Sequence, residues 1–378
     1  MSTWAEQRPS EDYYQVIDPD GAVVNDPPDL DDETLIRMYR VLVKTRKFEN
    51  RTLKLQRAGE LSLATASTGE EATPLGSAAA LEEGDWIFPS YRQSPASYYW
   101  GGRIDRQLAG RMGATADDIE KHLGEPEEKP VNFTPVYVPL ATNIPNAAGF
   151  AMIDGFEDND VVTMAYIGDG STSQGDFHEG LNFAGVFDAP LVTVCQNNQW
   201  AISVPAERQT GAETFAQKAV AHGMPHERVD GNDVLAVYDK TKDAVERARN
   251  GGGPSFIECV TYRRAAHNTA DEPSKYRDED KLDYWRERDP IDRFEAYLTD
   301  EGVLDDDDVD RINDEITELV DEAVQTARNI PANLDPMSMF ENHLQSEPSW
   351  HLQHQIDELE AELNGENPFV DYDGSGLE

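Results

Sequence analysis

The sequence predicts an α/β protein: a doubly wound, mostly parallel sheet with helices on both faces, with helical N- and C-terminal extensions. Three observations predict it. Val161 to Ile167 and Leu191 to Cys195 are continuous apolar, β-rich runs, as expected of strands covered on both faces. Between them Phe177, Leu181, Ala184 and Phe187 recur every three or four residues, which marks a helix from Gly175 to Phe187. Strand, helix and strand in that order imply parallel strands joined by a right-handed crossover. The theme returns in a helix over residues 234–250 and a strand from Ser255 to Tyr262, separated by Gly251-Gly252-Gly253-Pro254.

The elements follow in chain order. Residues 1–30 are acidic and dotted with Pro9, Pro19, Pro27 and Pro28, and read as an N-terminal arm. Asp31 offers a helix cap, after which Leu35, Met38, Tyr39, Leu42 and Val43 share one face. A second, Ala-rich helix is expected from Gly69 to Leu81, closed by Gly84. Trp86-Ile87-Phe88, ending at Pro89, reads as a short buried strand. Beyond the central units, Leu304 to Asn329 reads as a helix with Val309, Ile312, Ile316, Leu319 and Ala323 inward. Leu352, Ile356, Leu359 and Leu363 form a short amphipathic stripe, packed on the chain's own core or on a partner subunit. Residues 31–330 are therefore expected to form the α/β domain with its helical N-terminal segment, and 331–378 a C-terminal extension open to either packing.

Composition narrows the function. The 378 residues carry 74 Asp plus Glu against 32 Lys plus Arg, a formal net charge of −42. Nucleic-acid binding and adhesion to anionic membranes both need clustered Lys and Arg, so neither is expected. The acid is spread along the chain, with only short runs such as Asp305 to Asp308. Spread acid with scarce Lys suits a surface adapted to high salt, where screening relieves self-repulsion. An acidic face for a basic partner is the alternative. Two cysteines, Cys195 and Cys259, sit inside apolar runs and are expected to be buried thiols. There is no 18-residue apolar run, and the start has neither a basic region nor an apolar stretch. A cytoplasmic protein is expected.

In a doubly wound sheet, ligands bind beyond the carboxyl ends of the strands. Asp169 lies just past the first central strand and Asn197-Asn198 just past the second. The crossover brings a carboxylate and an amide carbonyl to one edge, hard oxygen donors that suit magnesium or calcium rather than zinc. So few protein ligands leave coordination positions for phosphate and water. Gly168 and Gly170 permit close backbone approach, and the helix starting near Gly175 offers free N–H groups and a positive dipole end. Together these point to a phosphate ester or diphosphate. Alone, Gly-Asp-Gly is a turn and Asn-Asn a turn or cap.

The run from Gly168 to Ala184, Gly-Asp-Gly-Ser-Thr-Ser-Gln-Gly-Asp-Phe-His-Glu-Gly-Leu-Asn-Phe-Ala, resembles the alpha subunit of the decarboxylating component of 2-oxo acid dehydrogenase complexes. So does Gln196-Asn197-Asn198-Gln199-Trp200-Ala201-Ile202-Ser203, and the similarity spans residues 30–345. The resemblance implies a thiamine diphosphate-binding fold, with thiamine diphosphate and Mg2+ as cofactors. Asp169 and Asn198 would ligate the metal through side chains and Trp200 through its backbone carbonyl. Gly168, Gly170, Ser171 and Asn198 would line the diphosphate site, and Tyr91 and Arg92 match the pair that contacts the diphosphate. Pro139 to Pro145 resembles the segment holding the aminopyrimidine, near Val138 and Leu140, with Ile202 on the same side. Tyr262 to Asn268 resembles the active-site loop, from which Arg263 and the catalytic His267 would face the cofactor. Ala265-Ala266 precede His267 where the family often has histidine or glycine, and Asn268 replaces the regulatory serine of mammalian relatives.

The activity implied is oxidative decarboxylation of a 2-oxo acid, with acyl transfer to lipoyl groups of a partner acyltransferase. Gln174 and Gln196 favour pyruvate, whereas Pro139-Leu140-Ala141-Thr142 resembles the branched-chain type, and acetoin is a further alternative. In this superfamily a glutamate on a second, pyrimidine-binding domain activates the cofactor. One diphosphate-binding domain and its extensions account for most of the 378 residues, which leaves no room for the pyrimidine-binding domain, so a separate beta subunit would complete the site in a tetramer of two alpha and two beta chains. Two readings from other classes are a nicotinamide-dependent oxidoreductase, which needs a Gly-x-Gly-x-x-Gly turn that residues 168–175 lack, and a non-catalytic scaffold.

Overall fold

A computed structural model describes residues 12–126, 130–157, 159–330, 336–340 and 348–364. Parts of the expected N-terminal arm and C-terminal extension therefore lie outside the described residues. The strands are β1 (Trp86–Phe88), β2 (Asn132–Phe133), β3 (Thr163–Gly168), β4 (Leu191–Asn197), β5 (Trp200–Ala201), β6 (Val204–Pro205), β7 (His226–Asp230) and β8 (Ser255–Val260). The helices are α1 (Asp32–Arg57), α2 (Ala72–Ala79), α3 (Ser94–Tyr99), α4 (Ile104–Arg111), α5 (Ala116–Leu123), α6 (Asn143–Glu157), α7 (Gly175–Val186), α8 (Val234–Arg249), α9 (Glu279–Arg286), α10 (Pro290–Asp300), α11 (Asp306–Asn329) and α12 (Trp350–Leu363).

Six strands form one sheet in the order β2-β1-β3-β4-β8-β7, every pair parallel, while β5 and β6 make a small antiparallel ribbon. Alternation along the strands builds two cores. Ala165, Ile167, Leu191 and Cys195 face α6 and α7, where they meet Ile144, Ala148, Phe177 and Leu181. Met164, Tyr166, Val192, Val194 and Cys259 face α2 and α8, against Ala78, Val237 and Val245. The doubly wound prediction holds, and Cys195 and Cys259 are free buried thiols on opposite faces.

Residues 12–25 lie along the open edge of β7. Tyr14 exchanges backbone hydrogen bonds with Arg228 and Asp230, and the N–H groups of Val16 and Ile17 donate to Asp233 Oδ2 at 2.7 and 2.8 Å. Arg293 Nη1 donates to Asp230 Oδ2 at 2.8 Å and its Nη2 to the Ile17 carbonyl at 2.6 Å. An unpaired strand edge is thereby covered.

α1 starts as expected, with Asp31 Oδ1 accepting from the Thr34 N–H at 2.8 Å, a cap that stabilises by about 1 kcal/mol. α2 begins at Ala72, three residues later than expected, because Gly69 stands at φ +90° with the Tyr262 carbonyl against it. In α11 Ile312, Ile316 and Ala323 are buried, but Leu319 is 43% exposed and Val320 and Val324 take the inward places. At about 100° per residue, Leu319 falls on the margin of a stripe centred on Ile316 and Ala323. The described residues among 106–125 and 326–364 form a second compact unit. In it α5 carries a reciprocal cap between Thr115 and Asp118, and Leu352, Ile356, Leu359 and Leu363 are the half-buried residues of α12. Among the described residues no helix is long and apolar enough to cross a membrane.

Candidate functional site

The carboxyl ends of β3 and β4 are neighbours, with Gly168 opposite Gln196. Asp169 opens a 3-10 turn, Asp169–Ser173, that precedes α7. Thr172 Oγ1 donates to the Asp169 carbonyl at 2.7 Å, and Lys218 Nζ donates to Thr172 Oγ1 at 2.7 Å and to its carbonyl at 3.1 Å. The Asp169 side chain is buried, and Oδ2 accepts from Gln209 Nε2 at 2.7 Å. Burial pushes its carboxyl up to about 6, reinforced by nearby Glu70 and opposed by Gln209 and Arg263. A buried carboxylate with so little compensation suits a cation.

Asn197 and Asn198 part company. Asn197 is the last residue of β4 and turns back into the protein, donating from Nδ2 to Glu258 Oε1 at 2.7 Å and accepting from Gln199. Asn198 donates from Nδ2 to Glu70 Oε2 at 2.8 Å, while its Oδ1 accepts from the Trp200 N–H at 3.2 Å. The following turn is tight: Gln199 and Ile202 both adopt positive φ, +70° and +56°, a conformation costing about 1–2 kcal/mol per non-glycine residue. It brings Ala201 against Gly170, where a Cβ would lie 2.7 Å from Ala201 Cβ. Trp200 itself is buried with Tyr262 and Trp285.

The other predicted residues gather around these tips. Arg92 is buried after β1, donating from Nη1 to the Ala66 carbonyl at 2.6 Å and from Nη2 to the His267 carbonyl at 2.7 Å. Tyr91 meets the His267 ring edge-on, with centroids 6.1 Å apart. Burial, then the Arg92 and Arg263 charges, hold the His267 imidazole down at about 4, so it is neutral at physiological pH. Arg263 Nη2 donates to the Ile202 carbonyl at 2.5 Å and to Tyr276 Oη at 2.8 Å, and Tyr276 Oη donates to Asp271 Oδ2 at 2.6 Å. These bonds pin the 262–277 loop across the ribbon. Asn143 Nδ2 donates to the carbonyls of Phe88 and Tyr166 at 3.2 and 2.8 Å, fixing the 138–142 segment at the same sheet edge. Val138, Leu140 and Ile202 are 68%, 46% and 56% exposed, large apolar side chains left at the surface. Ser171 is buried within the 3-10 turn.

Reading the sequence missed Glu70, Gln93 and Gln209. Glu70 is fully buried, accepts from Gln196 Nε2 and Asn198 Nδ2, and has an Oε1 that finds no partner among the described residues. Its signal was a carboxylate pair, Glu70-Glu71, inside the small-residue stretch from Ala64 to Ala80.

The sequence profile described as the dehydrogenase E1 component matches residues 39–335. The chain is 43% identical over 295 residues to the 3-methyl-2-oxobutanoate dehydrogenase subunit alpha of Mycobacterium tuberculosis, covering 76% of this chain and 78% of that protein. It is 37% identical over 351 residues to the pyruvate dehydrogenase E1 component subunit alpha of Acholeplasma laidlawii, covering 92% and 99%. It is 35% identical over 309 residues to the 2-oxoisovalerate dehydrogenase subunit alpha of Bacillus subtilis, covering 80% and 93%. With most of its length matched and its sheet, strand tips and loop in place, this chain belongs to the dehydrogenase E1 component family, among the alpha subunits of 2-oxo acid dehydrogenases.

Proposed function

We propose that this chain binds thiamine diphosphate through Mg2+ and, with a beta subunit, carries out the decarboxylating step of a 2-oxo acid dehydrogenase complex. The observation that carries the reading is the pairing of Gly168 with Gln196, which sets Asp169 and Asn198 at adjacent strand tips. The residues fit the cofactor: a buried carboxylate raised by desolvation, an amide at the neighbouring strand tip, and a glycine where any Cβ would collide. Asp169, Asn198 and the Trp200 carbonyl would hold Mg2+, and the Asp169–Ser173 turn with Gly168, Gly170 and Ser171 would cradle the diphosphate. When bound, thiamine diphosphate supplies a carbanion equivalent able to add to the keto carbon of the substrate.

The chain's own residues bind, orient and exclude water. Tyr91, Arg92 and Arg263 hold the loop beside the strand tips, and burial, then the Arg92 and Arg263 charges, keep His267 neutral, so that its imidazole can accept a proton at the substrate side. The exposed apolar side chains of Val138, Leu140 and Ile202 would be covered by the aminopyrimidine and by the beta subunit. The relatives' names as alpha subunits support a beta subunit; the assembly proposed with it is a tetramer of two alpha and two beta chains that passes its acyl unit to an acyltransferase core. The C-terminal stripe on α12 is a candidate partner contact.

Pyruvate is the first substrate reading, on the resemblance carried by Gln174 and Gln196. The branched-chain reading is favoured by the 43% identity to the mycobacterial subunit. A substrate screen of the chain co-expressed with its beta subunit, run at high salt, separates them: the preferred 2-oxo acid has the larger kcat/KM. The spread acid of this chain also supports a salt-adapted protein.

A further inference from the structure

Five side chains at the site form one directional hydrogen-bonded network that converges on a carboxylate. Asn198 Nδ2 and Gln196 Nε2 each donate to Glu70 Oε2 at 2.8 Å. Gln93 Nε2 donates to Gln196 Oε1 at 2.9 Å, and Ser90 Oγ donates to Gln93 Oε1 at 2.8 Å. A side-chain amide turned by a half-rotation keeps its shape but exchanges donor for acceptor, so its sense must be imposed by a partner. Here water cannot impose it, because Glu70, Gln196, Gln93 and Asn198 are all buried. Glu70 Oε2 accepts, and it dictates the sense of everything bonded to it. Asn198 must present its Nδ2 to Glu70 and its Oδ1 away from it. Gln196 must present its oxygen to Gln93, and Gln93 its oxygen to Ser90.

We propose that Glu70 is a positioning residue for the cation site: it locks the Asn198 amide with Oδ1 toward the metal position and, through Gln196 and Gln93, couples that oxygen to the Ser90–Arg92 segment. This rests on the reading of Asp169 and Asn198 as metal ligands. The remaining oxygen of Glu70, Oε1, is a buried acceptor without a partner among the described residues, so the orienting bonds all run through Oε2. Outer partners of this kind orient ligands, and their loss weakens metal binding without removing a ligand.

The test is a Mn2+ titration followed by electron paramagnetic resonance, with thiamine diphosphate present, on the full-length chain co-expressed with its beta subunit. Glu70→Leu is expected to weaken Mn2+ binding by about 10- to 100-fold. Glu70→Gln keeps an acceptor oxygen and is expected to stay within about threefold of the parent. Added to Asn198→Ala, Glu70→Leu is expected to change binding by less than about twofold, because it acts through Asn198. If Glu70→Leu does not fold, Glu70→Met carries the same expectation. Parental affinity in Glu70→Leu, equal weakening by Glu70→Gln, or full additivity with Asn198→Ala would each overturn the proposal. Failure of the parent protein to bind Mn2+ at all would instead overturn the cation-site reading beneath it.

Discussion

Gly170 and Ala201 stand so close that a Cβ on Gly170 would lie 2.7 Å from Ala201 Cβ and 3.2 Å from its Cα. This contact locks the turn after β3 to the ribbon after β4, which fixes the adjacent strand tips that carry Asp169 and Asn198. Gly170→Ala must push the two apart, and forcing a methyl group into a packed contact costs about 1–3 kcal/mol. Thiamine diphosphate affinity, measured by calorimetry with Mg2+, should fall at least about tenfold. Gly170→Ala combined with Ala201→Gly should recover most of it, a compensation that general destabilisation would not give.

Arg92 joins two backbone segments, since its guanidinium donates to the carbonyls of Ala66 and His267 at 2.6 and 2.7 Å. A lysine ammonium cannot reproduce that fork. Arg92→Lys should release the 265–270 stretch, and amide hydrogen exchange there should speed up by about tenfold or more, equivalent to losing about 1.4 kcal/mol of local protection. Exchange in β3 and β4 should not change.

Glu49 is buried beneath Ser67, whose N–H and hydroxyl donate to it at 2.7 and 2.9 Å. Burial, then the charge of Glu71, push its carboxyl up to about 8 from the ordinary 4.5. Because the folded state binds this proton more tightly than the unfolded state, the stabilisation is fully present below the unfolded value and is lost as pH rises through about 8. Glu49→Gln removes the titration. Its stability relative to the parent should therefore rise across that window and level off above it, by a few kcal/mol at most, at about 1.4 kcal/mol per pKa unit. Urea unfolding of both proteins at pH 5, 6.5 and 8 measures it.

The net charge of −42 should make folding depend on salt. Screening lengths fall from about 10 Å at 0.1 M to about 3 Å at 1 M, which relieves repulsion among spread carboxylates. The melting temperature should rise steadily between 0.1 and 2 M KCl. A flat or falling profile would remove salt adaptation and leave the acidic surface to a basic partner.

Much of the sheet was legible because β3, β4 and β8 are apolar on both faces, and a strand–helix–strand order leaves parallel pairing as the simple outcome. The start of α2 was not, because the close approach of the Tyr262 carbonyl to Gly69 is a contact between distant segments. Leu319 was misplaced because a helical stripe read by spacing has soft margins. The placing of Asp169 and Asn198 at adjacent strand ends was legible from their order after the strands. Glu70 was not, since nothing local shows that two adjacent glutamates are both buried, one of them bonded to the β4 tip. Gln209 escaped for the same reason, forty residues from the carboxylate it bonds.

The central claim is that Asp169 and Asn198 hold a divalent cation that tethers a diphosphate. Isothermal titration of thiamine diphosphate with and without Mg2+, on the parent and on Asp169→Ala, tests it most directly. Metal-dependent binding in the parent, abolished in a variant with unaltered secondary structure, is the predicted result. Equal, metal-dependent binding in both proteins would contradict it.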